Sequence, residues 1–162
     1  MSESIKFYSK NKIYSADFES LYTNIPLENS IEIIMQIVYK VTLPDTDSYA
    51  FHNLLKLVSM NNYFYFSHNK KYTFFKQIKG VAMCTACGPS ANLYLAYFEV
   101  KNKVFIDNSF YIRYIDDIFY SDTENYLTNK FPIIFPDLKL NTLTDNKLQF
   151  IDLNISLNHD FV

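Results

Sequence analysis

Glycine is nearly missing from this 162-residue chain, which has only 2, along with 2 cysteines and no tryptophan. So little glycine leaves few places for left-handed backbone. The cysteines, Cys84 and Cys87, form one CxxC pair. Without a second pair or a nearby histidine this is a weak zinc signal. A redox CxxC normally opens a helix after a strand, and this pair lies in a stretch with another explanation, given below. No apolar run approaches the roughly 20 residues that span a bilayer. The N-terminal MSESIKFYSKNKIYS has no apolar signal core, so the expected location is intracellular. A basic excess is lacking too: the net charge is -2, whereas a free-standing nucleic-acid binder is usually basic.

What the chain does have is aromatic mass, with 14 Tyr and 15 Phe. Apolar residues make up 49% and charged residues 20%, an ordinary globular composition on a chain long enough for one domain with a core. Together with isoleucine, the aromatics favour strands and well-filled interiors. There is no internal repeat, low-complexity tract or linker.

The periodicities predict an α+β fold with an antiparallel sheet. Residues 12–19 (KIYSADFE) read as a strand with an acidic end. Pro26, Glu28 and Glu32 suit a helix start, and Ile31, Ile34, Met35 and Val38 continue it to about Lys40. A second helix is predicted near 47–60, with Phe51, Leu54, Leu55 and Val58 on its apolar face. Residues 63–67 and 72–78 flank His68-Asn69-Lys70-Lys71 and predict a β-hairpin. Residues 90–103 predict a helix. The stretch 104–121, VFIDNSFYIRYIDDIFYS, predicts a strand, a tight acidic turn at Asp116-Asp117 and a return strand. A short helix near 123–131 and strands near 137–143 and 147–156 complete the pattern.

The adjacent carboxylates of Asp116 and Asp117 are the sharpest feature. A solvated turn rich in Asp is one reading, since Asp favours turns. The other is a cation site, because crowded like charges are costly unless neutralised. Asp17 ends the first strand, with Glu19 two residues on. One carboxylate from that strand and two from a neighbouring hairpin would make an all-oxygen site suited to Mg²⁺. A pair of such ions is a known clamp for in-line phosphoryl transfer.

These segments resemble the motifs of reverse transcriptases of Penelope-like retroelements. ADFESLYTNIP (16–26) resembles motif A. QIKGVAMCTACGPSANLYLAYFE (77–99) resembles motif B, and RYIDDIF (113–119) resembles motif C, the YxDD box. LKLNT (138–142) stands in the place of motif D, and LQFIDLNI (148–155) resembles the strand that follows it. The resemblance implies a single polymerase palm over 1–162, with Asp17, Asp116 and Asp117 as catalytic and metal-binding carboxylates. It implies two Mg²⁺ ions (Mn²⁺ as a substitute), a dNTP, an RNA template and a DNA primer, with no membrane partner and a nuclear location if the element is active in a eukaryote. Tyr22 matches the aromatic that packs under the sugar and favours dNTPs. Phe18 and the carbonyl of Glu19 match backbone near the triphosphate or metal. Tyr114 matches the aromatic near the primer end, and Lys139 a general acid for the leaving pyrophosphate.

Motif B departs from the pattern. Cys84 stands where the family usually has a glycine that lets backbone approach template and nucleotide, and Gly88-Pro89-Ser90-Ala91-Asn92 is one residue short. Fingers, thumb and endonuclease segments are also expected to be absent. These departures favour a second reading, a catalytically inactive palm fragment acting as a nucleic-acid or protein binding module.

Overall fold

The computed structural model describes residues 12–39, 45–83 and 88–157. Cys84 and Cys87 lie outside the described residues, and so do the ends of the chain. The elements run in the order β1 (Lys12–Phe18), α1 (Leu21–Asn24), α2 (Leu27–Tyr39), α3 (Asp45–Met60), β2 (Tyr63–His68), β3 (Lys71–Lys76), α4 (Gly88–Lys101), α5 (Lys103–Ile106), β4 (Phe110–Tyr114), β5 (Asp117–Asp122), α6 (Tyr126–Ile134), β6 (Leu140–Thr144), β7 (Lys147–Phe150) and β8 (Leu153–Ser156). The chain divides into two compact units, one of residues up to Glu19 together with Glu99 onward, the other Ser20–Phe98.

The first unit is built on a four-stranded sheet of order β4-β5-β1-β6. β1 is central and pairs antiparallel with both β5 and β6. Alternation along β1 therefore loads two faces. On one face Tyr14 stacks on Tyr120 with ring centroids 4.8 Å apart, Phe18 meets Phe135 edge-on at 5.1 Å, and Tyr120 meets Phe131 edge-on at 5.2 Å. Here α6 supplies Leu127, Phe131 and Ile134, all buried. On the other face Ile13 and Phe119 pack with Phe150 and the partly buried Phe110, Leu148 and Ile155. The aromatic interior expected from composition is real here, and its rings use the edge-to-face and stacked arrangements that ring quadrupoles favour.

The start of α6 is held by a buried carboxylate. Asp122 ends β5, and its oxygens accept the N–H groups of Thr123 at 2.7 Å and Leu127 at 2.5 Å. Helix-start N–H groups have no partner within the helix. Truncating this acceptor would leave the buried Leu127 N–H unpaired, at about 2 kcal/mol. We expect Asp122→Ala to lower the melting temperature by roughly 4–8 °C in a chain of this size, measured by calorimetry. An unchanged melting temperature would show the cap to be idle.

In the second unit, Ile31, Ile34 and Met35 of α2 are buried as their spacing predicts, and Ile33 joins them. α3 departs from expectation. Leu54 and Val58 of its predicted apolar face are exposed and Phe51 and Leu55 only half-buried, while among its described side chains Ser48 and Ser59 are buried. β2 and β3 form a two-stranded ribbon with the predicted pairing, but all twelve of its residues are exposed. A lone hairpin has no second layer to cover it.

Three further predictions shift. Residues 103–106 form the short helix α5, and the strand expected from 104 starts only at Phe110. The single strand expected over 147–156 is a hairpin, β7 and β8, turning at Ile151-Asp152. Left-handed backbone is also commoner than the glycine count suggested. Ser20, Asn69, Lys70, Ile115, Glu124, Asn125 and Ile151 all have positive φ, and Gly80 is the described glycine that does.

Candidate acidic site

β1 and β5 run antiparallel with Asp17 opposite Asp117, and β4 and β5 place Tyr114 opposite Asp117. On the far side of β1, Asp17 faces Asn141 of β6. Residues directly opposite in antiparallel strands share a face. A single row therefore crosses all four strands: Tyr114, Asp117, Asp17, Asn141. Asp116 lies at the turn of the β4–β5 hairpin, beside the row. One sheet register thus sets Asp17 opposite Asp117, with Asp116 on the adjoining turn, a pairing that no spacing along the sequence could establish.

The charges sense one another. Partial burial pushes the Asp17 carboxyl above its ordinary range, and the charges of Asp116 and Asp117 push it further, against a lowering hydrogen bond from the Phe18 N–H. Asp117 is raised by burial and then by Asp116. Hard oxygen donors and mutual repulsion fit a divalent cation chemically. Among the described residues, however, no group of three His, Cys, Asp or Glu side chains stands close enough to cage an ion as it is.

The sign of the pH effect follows. Carboxyls raised in the folded state contribute stability below their unfolded pKa and lose it as pH rises through the folded value. We therefore expect Asp17→Asn to be more stable than the parent at pH 7 in chelator. The gain should be only about 1–2 °C, because exposed charges are well screened. The gap should close toward pH 4. A parent as stable as Asp17→Asn at pH 7 would show that the repulsion costs nothing.

The β4–β5 connection has two residues, Ile115 and Asp116, between the paired Tyr114 and Asp117. Ile115 has φ +56, a conformation that costs an L residue about 1–2 kcal/mol and is rare for a β-branched one. Two-residue hairpins need positive φ at this position, usually from glycine. Beneath the turn, on the opposite face of the sheet from the acids, Arg113 donates from Nη1 to the Ile115 carbonyl at 2.8 Å. Its Nε and Nη2 donate to the two oxygens of Glu99 at 2.6 and 3.0 Å, and Tyr111 donates its hydroxyl to Glu99 Oε1 at 2.7 Å. Burial alone would lower Arg113, but the bonds and charge of Glu99 hold it above its ordinary value. Burial and then Glu99 push the Tyr111 phenol far up, so it stays a donor.

This sheet and its flanking helices recur in a solved structure. Apo telomerase from Candida tropicalis, truncated from its C-terminal domain, superposes with a TM-score of 0.67 over 90% of this chain at 13% identity. The fold is telomerase-like. The expectation of an α+β fold with an antiparallel sheet therefore holds. This chain spans 34% of the telomerase chain. No protein-family model and no curated protein sequence matches it.

Within the telomerase-like fold the remaining predicted residues lie as follows. Tyr114 is exposed on the acidic face. Phe18 turns to the opposite face against Phe135, so its backbone alone can serve the acids. Glu19 donates its N–H to the Lys139 carbonyl at 2.9 Å, which brings those two together at the β1–β6 end, with both side chains exposed. Tyr22 lies in α1 of the other unit, half-buried, with its carbonyl accepting the Val81 N–H at 2.7 Å. Cys84 is outside the described residues.

Glu99, Tyr111, Arg113 and Asn141 were not singled out by sequence reasoning. For Asn141 the signal was its place in the second strand of a possible pair, which becomes readable only once the register is known. Arg113 carried a signal in its position: on a strand ending at Tyr114 it must face away from Tyr114, toward the interior side, where a lone arginine needs a partner.

Proposed function

We propose that this chain is the palm of a template-directed DNA polymerase, a reverse transcriptase of the Penelope-like type, that extends a DNA primer on an RNA template. The observation that carries this reading is the pairing of Asp17 with Asp117, and Asp116 on the adjoining turn, inside a telomerase-like fold. Asp17, Asp116 and Asp117 would hold two Mg²⁺ ions, which when bound would neutralise charge developing on the transferred phosphoryl group. Tyr114 would lie beside the primer end, Asn141 would offer an amide next to Asp17, and Tyr22 would select dNTPs by packing under the sugar. Lys139 would be the proton donor to the leaving group. Nucleic-acid binding in general follows from the same reading. Among the described residues no helix is long and apolar enough to cross a membrane.

A second reading, a binding module without catalysis, is favoured by the absence of a ready-made cation cage among the described residues. Primer extension on an RNA template with dNTPs and Mg²⁺ separates the two. Polymerase function predicts extension by the parent that Asp116→Ala removes. Template binding by both proteins, with extension by neither, would leave the binding module.

A further inference from the structure

We propose that Arg113, locked by Glu99 and Tyr111, is the positioning residue that holds the strained Ile115 turn and thereby sets where Asp116 and Asp117 present their carboxylates; its consequence for cations rests on the polymerase reading above. The geometry runs in one direction. Glu99 projects from the last part of α4 and grips the guanidinium through both oxygens, with Nε at 2.6 Å and Nη2 at 3.0 Å. Tyr111 adds a third bond to the same carboxylate at 2.7 Å. A bidentate pair fixes the plane of a guanidinium, so the remaining Nη1 is aimed, and it lands on the Ile115 carbonyl at 2.8 Å. Ile115 is the left-handed residue of the turn, and its carbonyl belongs to the peptide that leads directly into Asp116.

The pair is nearly enclosed, with the Arg113 side chain 11% exposed and that of Glu99 19%. It lies on the sheet face opposite the acids, so it touches no group that the carboxylates would bind. The chain contains its own comparison. At the second Ile-Asp turn, Ile151 also has positive φ, and Gln149, two residues before it, donates to its carbonyl at 3.1 Å. The same device thus serves two hairpins. Only Arg113 is itself clamped among the bonds described, and only its turn carries the paired acids. Lysine could keep the charge, but a single ammonium has no planar fork with which to grip Glu99 at two points and Ile115 at a third.

The test uses the full chain and Mn²⁺ alone, followed by its paramagnetic resonance, with amide hydrogen exchange over 115–117 measured on the same samples. Arg113→Lys is expected to speed exchange at the turn and weaken Mn²⁺ binding by about 10–100-fold, the usual effect of losing an outer support of a metal site. Adding Ile115→Gly, which adopts positive φ without strain, should recover most of both. A general loss of fold would not be rescued at that one position. Tyr111→Phe, which removes a single bond, should move both readouts the same way by a smaller factor and guards against an unfolded Arg113→Lys. Gln149→Ala, the same loss at the remote turn, should leave Mn²⁺ binding at the parent's level. Parent-like exchange and parent-like Mn²⁺ binding in Arg113→Lys would overturn the proposal. A parent that binds no Mn²⁺, with a turn still loosened by Arg113→Lys, would overturn the cation reading and leave the clamp standing.

Discussion

Asp116→Ala is expected to take primer extension to background, a loss of about 1,000-fold or more, while leaving the melting temperature equal to the parent's or slightly higher. The two halves of the expectation have one cause. Asp116 is partly exposed at the tip of the acidic hairpin, and its charge raises the pKa of both Asp17 and Asp117. Removing it relieves repulsion in the folded chain and opens no cavity in the core, so stability does not fall. If the three acids hold cations that neutralise a transferring phosphoryl group, losing one removes stabilisation that acts only where charge develops, and such losses run to ~100–1,000-fold even for a single neutral donor. Extension that survives at a tenth of the parent rate would sink the assignment of Asp116. A fall in melting temperature of more than about 4 °C, the cost of a structural residue in a chain this size, would show that Asp116 supports the fold instead. Mn²⁺ titration of the same two proteins provides a second readout, in which the alanine protein should bind markedly more weakly.

Gly80→Ala is expected to cause the largest loss of stability of any single change considered, about 3 kcal/mol or more, or roughly 6–12 °C. Gly80 has φ +76, and a Cβ built there would run into the Tyr22 carbonyl oxygen and stand 2.6 Å from Thr23 Cα. Both neighbours are backbone, so neither can swing aside. They are held in place by the hydrogen bond from the Val81 N–H to the Tyr22 carbonyl. Strain and collision can be separated. Gly80→Asn introduces a residue that tolerates left-handed backbone but still carries a Cβ, and it should be nearly as damaging as alanine. Asn69→Gly, at the exposed tip of the β2–β3 ribbon with φ +49, removes strain where nothing crowds the site, and it should be neutral or mildly stabilising. If Gly80→Asn were as stable as the parent, the close approach to Tyr22 would not matter. Because Tyr22 is the proposed sugar-side residue, milder substitutions at Gly80 should also raise KM for dNTP more than they lower kcat.

Comparison of particular elements shows where local pattern is enough. The acidic hairpin was legible because RYIDDIF combines β-branched and aromatic residues with two polar turn residues, and the same logic placed β1 and the β2–β3 ribbon. α2 was legible because Ile31, Ile34 and Met35 recur at the helical period. The strand predicted from 104 began late because Val104, Phe105 and Ile106 suit a strand by type, yet α5 extends the helical run of α4 past Asn102 before the sheet begins. The apolar face predicted for α3 is only partly covered, with Phe51 and Leu55 half-buried and Leu54 and Val58 exposed, because periodicity reports that a face exists without saying what covers it. The low glycine count misled because Asn, Lys, Ser, Glu and even Ile occupy left-handed positions when a hairpin or a helix start over-determines them.

By itself, the sequence determined most of the elements, among them β1, α2, the β2–β3 ribbon and the acidic hairpin, and the three carboxylates worth examining, because those depend on period, residue type and turn chemistry within a few positions of one another. Only the tertiary structure decided that Asp17 stands opposite Asp117 and Asn141, since register between strands a hundred residues apart is set by which faces can be buried together. It also decided that Arg113 is a clamp rather than a solvated charge, because its partners Glu99 and Tyr111 reach it only when the end of α4 meets the back of the sheet.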